Sequence, residues 1–202
     1  MVGTEKSIRD RVLSWDRGKI FFIQDFIDLG SQGSTRIALC NLVSDKMIYR
    51  LARGIYCFPE ILNGKIVLPS DESIAYALAF KEKVRIIPYG DIAAYRLGLS
   101  GMRISSNTYL SDGAPRNIKL YNGHKIIFNH TSEVKMFGFL NETMMLVSNS
   151  IRYLGQEKLG KHQMNILRGH MRKVPDTEFS ADIEIPPVWV QDIPLELWNN
   201  SQ

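Results

Sequence analysis

Six side chains between positions 36 and 53 have the chemistry to hold a nucleic acid: Arg36, Asn41, Ser44, Lys46, Arg50 and Arg53. An arginine can place two donors on the O6 and N7 of guanine, and an asparagine can pair with the N6 and N7 of adenine. Arg36 and Asn41 are therefore the candidates for base reading. Lys46, Arg50 and Arg53 supply cations of the kind that meet phosphates, which gives salt-sensitive affinity without sequence preference. Ser44 adds a hydroxyl beside them. Each of these residue types is also common on an ordinary solvated surface, so their placement decides the matter.

Other chemistries find little footing. The histidines at 124, 130, 162 and 170 make no metal-type pair four residues apart, and Cys40 and Cys57 are the only cysteines, so neither a metal site nor a disulfide framework is expected. No glycine-rich phosphate loop is present, and no cofactor is expected. Ser132 and Lys135 stand at Ser-x-x-Lys spacing without a companion motif, and Asp91 and Asp112 lie beside turns, where aspartate is common for turn chemistry alone. The expectation is a protein that is not an enzyme.

The elements that must position the six residues follow from local pattern. Ser34 is an expected N-cap, followed by a helix with Ala38, Leu39, Leu42 and Val43 inward. Arg36, Ile37, Cys40, Asn41 and Ser44 then fall on the opposite side. Two β-rich runs, Met47 to Leu51 and Ile55 to Phe58, are joined through Ala52-Arg53-Gly54, where Gly54 can supply a positive φ. Upstream, Ser7 to Trp15 predicts a first helix closed at Gly18, Ile20 to Phe22 a short strand able to pair with the later hairpin, and Gln24 to Leu29 a second short helix. Gly30 to Gly33 predicts a turn. Helix, strand, helix, turn, helix and two-stranded hairpin is the order of a winged helix-turn-helix, which offers a recognition helix and a wing to DNA.

The rest of the chain changes character near Asn63-Gly64, and the domain boundary is expected between Ile61 and Pro69. Residues 1–66 form the first domain and 67–202 a mixed α/β regulatory domain, making an α+β protein overall. The second part predicts a helix from Ser70 or Asp71 to about Lys81, a strand over Val84 to Ile87, and a short helix over Asp91 to Leu97. A hairpin, Arg116 to Tyr121 with His124 to Asn129, is expected around a type I′ Asn122-Gly123 turn. C-terminal helices follow, one with Met145, Ser148, Ile151 and Leu154 inward, another with Met164, Leu167 and Met171 inward. The last stretch, 176–202, carries Trp189 and Trp198 and is expected to dock on the second domain through them.

Charge is unevenly spread. Residues 1–66 hold ten Lys and Arg against seven Asp and Glu, residues 67–175 hold fifteen against eight, and 176–202 hold six acids and no base. A basic body points to an anionic partner. With 45% apolar residues the chain has enough to bury a core. It lacks both a signal-peptide core and an apolar run of membrane-spanning length, so a cytoplasmic protein with no membrane partner is expected.

The run Arg50-Leu51-Ala52-Arg53-Gly54-Ile55-Tyr56, after a helix ending in Leu42-Val43, resembles the wing of the AbiEi-like antitoxins of type IV toxin–antitoxin systems. More closely, it resembles their compact, otherwise uncharacterised relatives. The likeness extends through Pro69-Ser70, Pro88-Tyr89-Gly90, Ala94 with Leu97-Gly98-Leu99, Tyr109-Leu110-Ser111-Asp112-Gly113, and Pro187 with Trp189. It implies an N-terminal winged-helix domain that binds duplex DNA at its own promoter and represses it, with the contact role falling on Arg36, Asn41, Arg50 and Arg53. It further implies a second domain that counteracts a co-encoded nucleotidyltransferase-like toxin without a stable complex. The rival class is a protein–protein module whose winged-helix domain does not bind DNA.

Overall fold

The computed structural model describes residues 3–100 and 106–199. It is a mixed α+β fold that divides into two compact units, Met1–Leu78 with Ile118–His124, and Ala79–Asn117 with Lys125–Gln202. The expected boundary after residue 66 and the one drawn by packing differ. Residues 118–124 join the first unit because Tyr121 donates its N–H to the Leu51 carbonyl, and because Asn122 and His124 both bond the Asp71 carboxylate.

The first unit is built on helix α1 (Thr4–Leu13), strand β1 (Ile20–Phe22), a 3₁₀ turn (Ile23–Phe26), helix α2 (Gln32–Ser44), and strands β2 (Tyr49–Ala52) and β3 (Ile55–Cys57). Both helices bury one side. Ile8 and Val12 from α1 meet Ala38, Leu39 and Leu42 from α2 around Phe21, Phe26, Ile48 and Tyr56. Strand β3 lies in the centre of a three-stranded antiparallel sheet, with β1 on one side and β2 on the other. The expected pairing of Ile20 to Phe22 with the hairpin is present, in the register Ile20 to Cys57 and Phe22 to Ile55.

Several local expectations need correction. Helix α2 begins at Gln32, because Ser31 and not Ser34 is the cap. Ser31 is extended and its hydroxyl accepts the Ser34 N–H, leaving Gln32 and Gly33 inside the first turn. The expected second helix is only the 3₁₀ turn, held by the Asp25 carboxylate accepting the Phe22 N–H. Gly18 does not end α1, which stops at Leu13; it sits in a later turn and donates to the Phe58 carbonyl.

The type I′ turn falls at the other Asn-Gly pair. Strands β4 (Glu60–Leu62) and β5 (Lys65–Val67) form a second hairpin. Asn63 and Gly64 there both hold positive φ, 50° and 74°, as a type I′ turn demands. At Asn122-Gly123 only the glycine does (87°), and Gly123 donates to the Leu120 carbonyl. This is a three-residue loop closed by a left-handed glycine, not a type I′ turn.

Helix α3 (Asp71–Glu82) contains the division between units. The second unit carries β6 (Ile86–Pro88), helix α4 (Asp91–Arg96), β7 (Ser106–Ser111), the first half of β8 (Arg116–Lys119) and β9 (Lys125–His130). The sheet order is β6-β7-β9-β8, with β6 antiparallel and β9 parallel to β7. Helices α5 (Glu142–Leu154), α6 (Lys161–Met171), α7 (Asp176–Asp182) and α8 (Val188–Asn199) complete it around Met144, Val147, Ile151, Leu167 and Met171.

The acidic C-terminal stretch docks, with Trp198 among its anchors as expected and Trp189 not. Phe179, Val190, Ile193 and Leu197 enter the core, Trp198 stacks on Phe179 at 4.3 Å, and Trp189 stays 46% exposed. One of its acids does structural work: fully buried Asp182 accepts the N–H groups of Leu140 and Asn141 just before α5. Among the described residues no helix is long and apolar enough to cross a membrane.

The β2–β3 turn gives a direct test of this backbone. Gly54 has φ 77°, and a Cβ there would meet Ile23 only at an ordinary 3.7 Å. The cost of Gly54→Ala is therefore conformational, about 1–2 kcal/mol, and thermal denaturation should show the matching fall in stability.

Candidate nucleic-acid interface

Helix α2 and the β2–β3 hairpin face each other across a recess of about 480 Å³. Its walls bring together three of the six residues singled out by the sequence. Arg36 comes from the helix, and Arg50 and Arg53 from the hairpin. Gln24, Gln32, Cys40, Gly54 and Tyr56 also line it, with Ile23. No carboxylate is among these lining residues. Gln32, Arg36 and Cys40 are four residues apart in turn, so a single stripe of the helix faces the hairpin.

The hairpin side is pinned by hydrogen bonding and burial. Arg50 is held along its strand by an Nε–H donated to the Ala52 carbonyl at 3.3 Å. Tyr56 opposes Arg50 in the register and is only 6% exposed. Burial pushes its phenol up, partly offset by the positive charge of Arg50 and Arg36. Arg53 stands at the exposed turn, carried there by the left-handed Gly54 beside it.

Asn41, Ser44 and Lys46 do not line this recess. Asn41 is exposed on another side of α2, where its amide donates to the Glu5 carboxylate at 2.7 Å. Arg9 pairs with Asp45 at 2.6 Å and with Glu5 at 3.7 Å, so this flank of the helix carries two carboxylates. Ser44 donates its hydroxyl back to the Cys40 carbonyl. Lys46 is the left-handed residue (φ 57°) that ends α2, with Lys46 N–H bonding the Val43 carbonyl and Met47 N–H the Leu42 carbonyl. That is the two-bond helix stop usually made by glycine, and its cation also suits the helix C-terminus. The same stop recurs at Lys83 after α3.

Sequence reasoning passed over Gln24, Gln32 and Tyr56. The i, i+4, i+8 spacing of Gln32, Arg36 and Cys40 was the available signal, and placing the cap at Ser34 hid its first member. The described residues contain no group of three or more His, Cys, Asp or Glu able to hold a metal ion.

Set against known families, residues 7–179 match the model of one described as "Family of unknown function (DUF6088)". No curated protein matches the sequence.

The two thiols divide sharply. Cys40 is exposed on the recess stripe, whereas Cys57 is buried in β3 and burial pushes its thiol up to about 11. A thiolate is the reactive form. Native protein should thus give one fast-reacting equivalent in a thiol-labelling assay at pH 8, and a second only on unfolding.

Proposed function

We propose that this protein, which belongs to the DUF6088 family, is a DNA-binding transcriptional regulator whose first unit acts as a winged helix. In this reading α2 is the recognition helix, the β2–β3 hairpin is the wing, and the recess between them is the duplex-contacting face. One observation carries it: arginines from two separate elements converge on a recess that, among the described residues, has no carboxylate in its lining. Gathering like charges is unfavourable for an isolated fold, and a polyanion relieves it.

The order of elements supports the same reading. Helix α1, strand β1, helix α2 and a two-stranded hairpin follow one another in the sequence order of a winged helix, except that the turn Ile23–Phe26 stands where a middle helix would be. Within it Arg50 and Arg53 hold phosphates, and Arg36 reads a guanine edge. Asn41, tied to Glu5 and flanked by Asp45, is displaced from the base-reading role. The resemblance to AbiEi-like antitoxins supports an extension of the proposal: the regulator represses its own promoter, and the second unit counteracts a co-encoded nucleotidyltransferase-like toxin functionally and without a stable complex.

Titration of the duplex upstream of its own gene against the full-length protein, repeated over a range of salt, tests the proposal. Each phosphate contact contributes about 0.9 to the log–log salt slope, so Arg53→Ala should make it shallower by about that amount. Arg36→Ala should cost roughly 1–3 kcal/mol on the operator, while Asn41→Ala should stay within about 0.5 kcal/mol. Absence of salt-sensitive binding, or an Arg53→Ala slope equal to that of the parent, would refute the assignment.

A further inference from the structure

Gly33 is the residue of α2 that the fold does not explain. It sits inside the first turn of the helix, exposed and without positive φ, and a Cβ there would meet nothing nearer than the Ser31 hydroxyl at 3.9 Å. Glycine inside a helix is destabilising relative to alanine. Neither backbone conformation nor packing calls for it. One turn further along the same side is Ile37, left 66% exposed in the middle of a helix whose other aliphatic side chains are buried or partly so. An exposed isoleucine alone needs no explanation. Beside it, however, stand Gln32 and Arg36, the two members of the recess stripe nearest the helix start.

Taken together, Gln32, Gly33, Arg36 and Ile37 make a small surface on the first two turns of α2. Each matches a different feature of the major groove. Arginine fits O6 and N7 of guanine, glutamine fits N6 and N7 of adenine, and an aliphatic side chain fits the thymine methyl. A glycine between them lets the helix backbone approach without a side chain in the way. Gln32 and Arg36 are separated by about 6 Å along the helix axis, close to two base-pair steps of about 3.4 Å.

We infer that this surface reads a guanine set within two base pairs of an A·T pair, with Arg36 on the guanine, Gln32 on the adenine and Ile37 on the thymine methyl. Gly33 clears the approach. The inference rests on the DNA-binding reading above and makes Gln32, Gly33 and Ile37 specificity-determining residues of the same face.

Selection of bound duplexes from a randomised pool by the full-length protein, followed by titration of the enriched duplex, is the test. Enriched sequences should share a guanine with an A·T pair no more than two steps away. Gln32→Ala should lose about 5- to 150-fold on the enriched duplex and little on random DNA. Replacing the contacted thymine by uracil should cost about 4-fold, the worth of one buried methyl, and that loss should vanish in Ile37→Ala. Gly33→Ala should raise the melting temperature by about 1–3 °C while weakening binding at least 10-fold. Salt-sensitive binding with no enriched A·T pair near guanine would overturn this inference and leave the DNA-binding reading standing. So would a Gly33→Ala protein with undiminished affinity. Failure to bind any duplex would overturn both.

Discussion

The first unit depends on β3 being gripped from both sides. Residues Ile55 to Cys57 pair with β1 on one edge and β2 on the other, so the hairpin cannot swing away from the helices. Side chains reinforce the grip. Phe21 of β1 stacks on Tyr56 of β3 at 5.9 Å, and the same ring meets Trp15 at 5.1 Å and Phe26 at 5.6 Å. Offset and edge-on aromatic contacts of this kind add to area burial. Arg50 and Arg53 lie on one arm of that hairpin and at its tip, and Arg36 on the helix packed against the same core. Their convergence is thus a consequence of the β1–β3 pairing.

Part of this architecture is legible in the sequence. The inward face of α2, the exposure of Arg36, Cys40, Asn41 and Ser44, and the pairing of Ile20 to Phe22 with β3 all follow from apolar spacing, which burial enforces. The sequence misplaces the helix start because Ser31 and Ser34 are equally good caps and Gly33 reads as a loop residue. The Ser34 N–H on the Ser31 hydroxyl and the Thr35 N–H on the Ser31 carbonyl separate the two. The type I′ expectation at Asn122-Gly123 fails for a similar reason. The dipeptide is the same at 63–64 and 122–123, and the left-handed state of the asparagine is decided by the pairing of flanking strands. As for the candidate recess, helical spacing and the hairpin pattern single out the three arginines that line it. The diversion of Asn41 depends on Glu5, thirty-six residues away in the chain, which no local pattern shows.

In the second unit the acidic C-terminal stretch is architecture. Its helices supply Phe179, Val190, Ile193 and Leu197 to the core. Buried Asp182 takes two backbone N–H groups at the start of α5, whose positive end favours an anion. Asn141 caps the same helix and donates its amide to Glu178. Asymmetric charge in the sequence therefore marks, at least here, a contact inside the unit.

On the proposed reading a duplex sits in the recess between α2 and the β2–β3 hairpin. Cys40 lies on its wall and Cys57 is buried, so the alkylation rate of Cys40 reports on the recess with almost no background. Measured with and without saturating duplex from upstream of the gene, at low salt, that rate should fall severalfold, and it should recover as salt releases the DNA. An unchanged rate on protein shown to be fully bound would contradict the claim and place the DNA elsewhere on the molecule.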